Sequence, residues 1–161
     1  MKKKYIMKKN SRTSNKIINI SYLIILIPLI LVMSLDLIFT ITGQSKDYWK
    51  NYSDYNEVNP IGQTFLSANP IYFMISYIFY IILVLFLIIK LPRPINIMLY
   101  IGFFLGHVWG SSTWISEILS RYFSIEMNEF YSRIIYFIII AIISGLCLNK
   151  IIKNFKLSYS K

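Results

Sequence analysis

The chain has 161 residues, 56% of them hydrophobic, with a formal net charge of +10 and a mean hydropathy of +0.55. That apolar share exceeds what a soluble domain of this length carries, and the apolar residues fall in blocks close to the ~20 residues that a membrane-crossing helix needs. A soluble globular domain is excluded, and four such blocks leave no room for a separate extramembrane one.

Residues 1–16 form a basic tail that ends where the first apolar block, about residues 17–42, begins. A lysine-rich start before an apolar run is also the pattern of a secretory leader. Here the run is too long for a leader's apolar region and no small-x-small cleavage site follows, so the span is expected to stay uncleaved. Within it, Asp36 lies seven residues before Gly43, roughly 10 Å inside the outer boundary. An ionisable side chain at that depth is costly and faces a bundle interior or a water-filled cavity. Thr40, one turn on, shares its face.

The outer loop, residues 43–69, is dense in polar and aromatic side chains. Tyr48, Trp49, Tyr52 and Tyr55 are the amphipathic rings of a headgroup-level belt. Asn59-Pro60 and Asn69-Pro70 share one grammar: the Asn side chain accepts from free helix N–H groups, and Pro presets φ at the first helical position. The first pair predicts a short interfacial helix over 60–67; the second starts the next span, about 70–90. Glu57, just ahead of Asn59, can fold back over the mouth of the bundle.

The third span, about 95–119, carries the only histidine, His107, about 18 Å from its start. At 100° per residue, His107, Gly110, Ser111, Trp114 and Glu117 share one face, while Trp109 points the other way, into lipid. Gly102, Gly106 and Gly110 repeat every fourth residue, and Ala141 and Gly145 repeat that spacing in the fourth span, about 133–149. Small residues so spaced let helix backbones approach closely in lipid, so these five are expected to be helix-packing positions. Cys147, alone, can form no internal disulfide. A second basic tail, 150–161, ends the chain.

Charge sets the orientation. Lys2, Lys3, Lys4, Lys8, Lys9, Arg12 and Lys16 precede span one, Lys90 and Arg93 lie between spans two and three, and Lys150, Lys153, Lys156 and Lys161 follow span four. Only Lys46, Lys50, Arg121 and Arg133 fall on the other side. The positive-inside rule puts both termini in the cytoplasm, in the cell (inner) membrane. The basic charge is thus a matter of topology and anionic lipid, and no basic motif interleaved with aromatics points to nucleic acid.

Asp36, Thr40, Glu57, Asn59, His107, Ser111, Trp114 and Glu117 are therefore the candidate polar site. Three uses are open: a hydrogen-bonded group fixing helix register, a metal site, and acid–base or proton-relay chemistry. Asp36, Glu57 and His107 would suit a hard or borderline divalent ion, although no His-Glu-x-x-His or Glu-x-x-His spacing supports one, and the sequence names no cofactor. The pattern Asp36-x-x-x-Thr40, Glu57-x-Asn59-Pro60 and Asn69-Pro70, spanning about residues 35–75, resembles a domain-of-unknown-function family of small bacterial and archaeal multi-pass membrane proteins. The resemblance implies that Asp36, Thr40, Glu57, Asn59 and Pro60 form a shared polar core, and it implies no activity. Lipoprotein signal peptidases need two catalytic aspartates, and Asp36 is the only one in a span.

The reading is an all-α, polytopic bundle of four transmembrane helices with a short interfacial helix in its first outer loop. Its function is that of a non-catalytic or accessory bundle with an outward-facing polar site. The alternative is an enzyme or small transporter acting on a lipid or small solute through Asp36, Glu57 and His107. Expected partners are the bilayer and a membrane protein or second copy of the chain.

Overall fold

The computed structural model describes residues 24–159, with side chains to Lys150. The N-terminal tail and the first residues of span one lie outside the described residues. Every regular element among those described is helical: α1 (Ile24–Thr42), α2 (Pro60–Ala68), α3 (Pro70–Lys90), α4 (Ile95–Thr113), α5 (Ile115–Phe123) and α6 (Glu129–Tyr159). Three of them, α1, α3 and α6, hold stretches long and apolar enough to cross a membrane. The 19-residue α4 has the length, about 28 Å, but Asn96, His107, Ser111 and Ser112 make it less apolar than the other three.

Local chemistry explains the boundaries. Asn59 Oδ1 accepts from the Ile61 N–H at 3.0 Å and Asn69 Oδ1 from the Ile71 N–H at 2.8 Å, each with Pro at the first helical position. So α2 stops where α3 starts, with Asn69 extended between them. The expected span 95–119 is corrected: α4 ends at Thr113, and α5 follows after Trp114. The run Ser111-Ser112-Thr113 supplies the reason. All three hydroxyls donate back to carbonyls of their own helix, of His107, Trp109 and Gly110 respectively, and such back-bonding bends helices. At the far end of α5, Ser124 adopts the left-handed conformation (φ 55°), and the N–H groups of Ser124 and Ile125 reach back to Ser120 and Leu119, a Schellman-type stop. A second correction concerns α6. It starts at Glu129, earlier than expected, and runs without interruption into residues assigned to the basic tail, because neither Gly nor Pro interrupts 146–159 and lysine is a good helix former.

The helix nearest the centre is α1. Leu26, Leu29, Val32 and Met33, spaced along one face, are almost wholly buried against Val84 and Ile88 of α3, Val108 of α4, and Tyr136 and Ile140 of α6. A second, smaller core lies under the loop, where Tyr48, Leu66 and Phe73 pack together. Tyr48 is thus not a belt residue as expected. Its ring is fully buried, and its hydroxyl donates to the Leu66 carbonyl at 3.2 Å. Burial pushes its phenol pKa up, and neighbouring Tyr52 adds to the effect. Trp49 stays half exposed beside it.

The expected glycine packing also needs correction. A Cβ built on Gly102, Gly106 or Gly145 would meet nothing within 4 Å, and Ala141 is exposed. These positions face open space, because α4 and α6 pack through larger side chains such as Val108, Tyr136 and Ile140. Gly110 is the exception, and what it meets is a carboxylate.

Candidate functional site

Asp36 stands on the central helix, and α3 and α4 each present polar groups to it. His107 Nδ1 lies 2.7 Å from Asp36 Oδ2, and the Tyr77 hydroxyl donates to the same oxygen at 2.9 Å. Tyr77 is also 3.0 Å from His107 Nδ1, and Tyr80 OH is 3.1 Å from Nε2. Since Tyr77 gives its proton to Asp36, Nδ1 satisfies its contacts best as the donor to Asp36, which leaves Nε2 to accept from Tyr80. A carboxylate thereby orients an imidazole through one ring nitrogen while a phenol addresses the other. The side chains of His107 and Asp36 retain 12% and 15% of their exposure, so the pair is screened from bulk water without being sealed. Gly110 permits the approach: a Cβ there would sit 3.1 Å from Asp36 Oδ1.

The loop brings up a second carboxylate. Glu57 Oε1 accepts from the Asn59 N–H at 2.8 Å, and its Cγ lies 3.0 Å from where a Cβ of Gly62 would be. Gln63 Nε2 donates to the Glu57 carbonyl at 2.7 Å. Upstream, Gln44 clamps the loop by donating to the Asn56 carbonyl at 3.3 Å and accepting from its N–H at 2.8 Å. Burial raises the Glu57 pKa above the ordinary 4.5, the Asn59 and Val58 amides oppose the shift, and the negative charge of Asp36 adds to it.

These groups line one open cavity of about 1030 Å3, whose wall includes Asp36, Thr40, Glu57, Asn59, Tyr77, Tyr80, His107, Trp114 and Glu117. Of the eight expected polar-site residues, Ser111 lies elsewhere. It is buried against α6 and shares a 2.7 Å hydrogen bond with Tyr136 OH. The break at Trp114 moves Glu117 off the His107 face onto α5, where it is paired with Arg121. Trp109 is more than half exposed, as an outward-facing ring is expected to be. It stacks on Phe137 and sits 5.5 Å under the Arg133 guanidinium, at the cavity wall.

As metal ligands, Asp36, Glu57 and His107 do not come together: no group of three His, Cys, Asp or Glu able to hold an ion forms among the described residues. Both imidazole nitrogens face hydroxyl or carboxylate partners.

Tyr77 and Tyr80 are site residues that the sequence reading missed. Their signal was present, since Phe73, Tyr77 and Tyr80 recur at helical spacing and a buried phenol needs a hydrogen-bond partner. Arg121 is another. It donates to the Thr42 carbonyl at 3.3 Å and to that of Gln44, closing the carbonyl end of α1. No family model matches this chain, and no curated protein or solved structure is significantly similar to it.

Proposed function

We propose that the chain is a four-span protein of the cell membrane, with both termini cytoplasmic, that binds a small molecule or lipid headgroup in an outward-facing cavity centred on Asp36 and His107. One observation carries this reading: the largely screened Asp36–His107 pair lines an open cavity of about 1030 Å3. A polar group kept only for helix register would be packed closed, since interiors leave few voids larger than a water. In this scheme α4 is also a span, the third in chain order, its lower hydropathy explained by the site it carries, and α2 lies at the interface. The lysine and arginine distribution supports the orientation. Asp36, Thr40, Glu57 and Asn59 share the cavity wall. The exposed small residues of α4 and α6 are left for lipid, a partner protein or a second copy.

The test is labelling from outside. Thr113, exposed on the cavity wall, is replaced by Cys in a Cys147→Ser background, and intact cells are treated with a membrane-impermeant thiol reagent. Thr113→Cys should react; protection there, with Asp54→Cys reacting normally, would sink the outward-facing cavity. A second reading, an enzyme or small transporter working through Asp36, Glu57 and His107, is favoured by the 2.7 Å carboxylate–imidazole bond, which positions a general acid–base group. Ligand-linked proton exchange in a weakly buffered sample, lost in His107→Gln, would distinguish it from a passive binding bundle.

A further inference from the structure

We infer that the cavity takes an organic ammonium group, held at the Glu57 carboxylate among aromatic rings. The inference rests on the outward-facing cavity proposed above and names the ligand chemistry that would fill it.

Charge balance leads to it. Four carboxylates line the cavity: Asp36, Glu57, Glu117 and Glu129. Glu117 is held by Arg121, and Glu129 by Arg133 at 2.9 Å. Asp36 has His107 and Tyr77. Glu57 has neither a cation nor a side-chain donor: among the described residues no Lys, Arg or His lies within ion-pair distance of it, and its carboxylate is met only by backbone amides. A carboxylate drawn out of water without a partner is costly, and a cation from outside would relieve that cost. An anionic ligand would meet the same uncompensated charge, and the guanidinium on the wall, Arg133, is already neutralised by Glu129.

The surroundings select the kind of cation. Phe65, Phe73, Tyr77, Tyr80 and Phe103 face the cavity with Glu57, and aromatic faces attract alkylammonium groups while offering nothing to a strongly hydrated metal ion. Among the described residues no three His, Cys, Asp or Glu side chains gather as they would to hold a metal ion. Volume agrees, since about 1030 Å3 suits a molecule of drug or headgroup size. The cavity wall also runs along Gly102 and Gly106, which meet nothing within 4 Å. This trough, running from beside His107 to about one and a half turns before it, gives an aliphatic chain a place to lie. The ammonium can therefore arrive on a lipid-like chain or as a free solute, and the two sources differ only in use of the trough.

Because His107 is the only histidine, its ring signals in an NMR spectrum of the full chain in lipid nanodiscs report the site directly. Octyltrimethylammonium, below its micelle concentration, should shift them saturably; octyl sulfate of the same chain length should not. Glu57→Gln should weaken the ammonium response about tenfold or more with the helical signal intact, while Asp54→Asn, a loop carboxylate off the cavity, leaves it unchanged. Tetramethylammonium provides the source arm: tighter binding of the octyl compound assigns the site to chain-bearing amines, and equal binding assigns it to free solutes. Equal binding of the sulfate, or no effect of Glu57→Gln, would overturn the inference. A protected Thr113→Cys would sink the cavity itself, whereas a labelled Thr113→Cys with no ammonium preference would sink only this assignment.

Discussion

The two halves of the bundle hold themselves together in different ways. At the loop end, polar contacts link separate elements: Asp36 to His107 and Tyr77, Gln44 to Asn56, Arg121 to the end of α1, Tyr48 to α2. At the opposite end the interior is Leu26, Leu29, Val84, Ile88 and Ile140, with a tie from Tyr100 OH to the Ile25 carbonyl at 3.0 Å. Helices in lipid gain little from apolar burial alone, so directional contacts and close fit must set their register. The loop half has both, and the opposite half relies on shape. Glycines mark the divide along one stripe of α4, where Gly110 abuts a carboxylate and Gly102 and Gly106 abut nothing.

The largest difference should come from alanine at Gly43 and at Gly145. A Cβ on Gly43 would collide with the Trp114 ring and lie 2.7 Å from the Phe39 carbonyl oxygen, to which the Gly43 N–H is itself bonded. The backbone cannot yield there, and overpacking of this kind costs about 3 kcal/mol. Gly145→Ala meets open space and should stay within about 0.5 kcal/mol of wild type. Thermal unfolding in detergent measures both, and equal losses would erase the distinction between the halves.

Next in size is the central pair. His107→Ala leaves Asp36 with Tyr77 alone and should cost about 2 kcal/mol, the penalty of an under-satisfied buried charge. A double-mutant cycle with Asp36→Ala should return a coupling of about 1–3 kcal/mol, as for contacting residues in one network. Additive losses would mean that the two side chains do not depend on one another.

A smaller effect, confined to the loop, should follow pH. The folded pKa of Glu57 lies above 4.5, chiefly through burial, so the folded chain holds this proton more tightly than the unfolded one. Its contribution is fully present below pH 4.5 and is lost as pH rises through the folded value. Proteolysis of the 43–59 loop should accordingly speed up as pH rises above that point, and Glu57→Gln should flatten the profile. A loop that becomes more resistant with rising pH would reverse the assignment.

These residues also show what could be read from the sequence. Asp36 and His107 were legible because each is a rare ionisable group in an apolar run, and counting along helices placed both at similar depth. The paired Asn-Pro steps were legible because capping is local chemistry. Tyr77 and Tyr80 were hidden in a span rich in aromatics, where a phenol has the same helical spacing as a lipid-facing ring. The break at Trp114 was hidden too, since the apolar pattern continues through it and only the hydroxyl run 111–113 signals a bend. Glycine spacing misled for a related reason: it records that a helix surface is hollow and is silent on whether a helix or a cavity occupies the hollow.

Gly106→Leu therefore separates the alternatives with the smallest stability effect and the most specific consequence. With nothing within 4 Å of a Cβ at 106, the isobutyl group has room, glycine's backbone flexibility in a helix is reduced, and the unfolding temperature should stay near that of wild type. The same side chain projects from the cavity wall one residue from His107. It should fill the trough and weaken octyltrimethylammonium far more than tetramethylammonium, as read from the His107 ring signals. A steep fall in stability would give a different result. It would mean that in the membrane another helix, from a second copy or a partner, lies against the stripe that is open in the single chain, and helix packing at Gly102 and Gly106 would then be an intermolecular property.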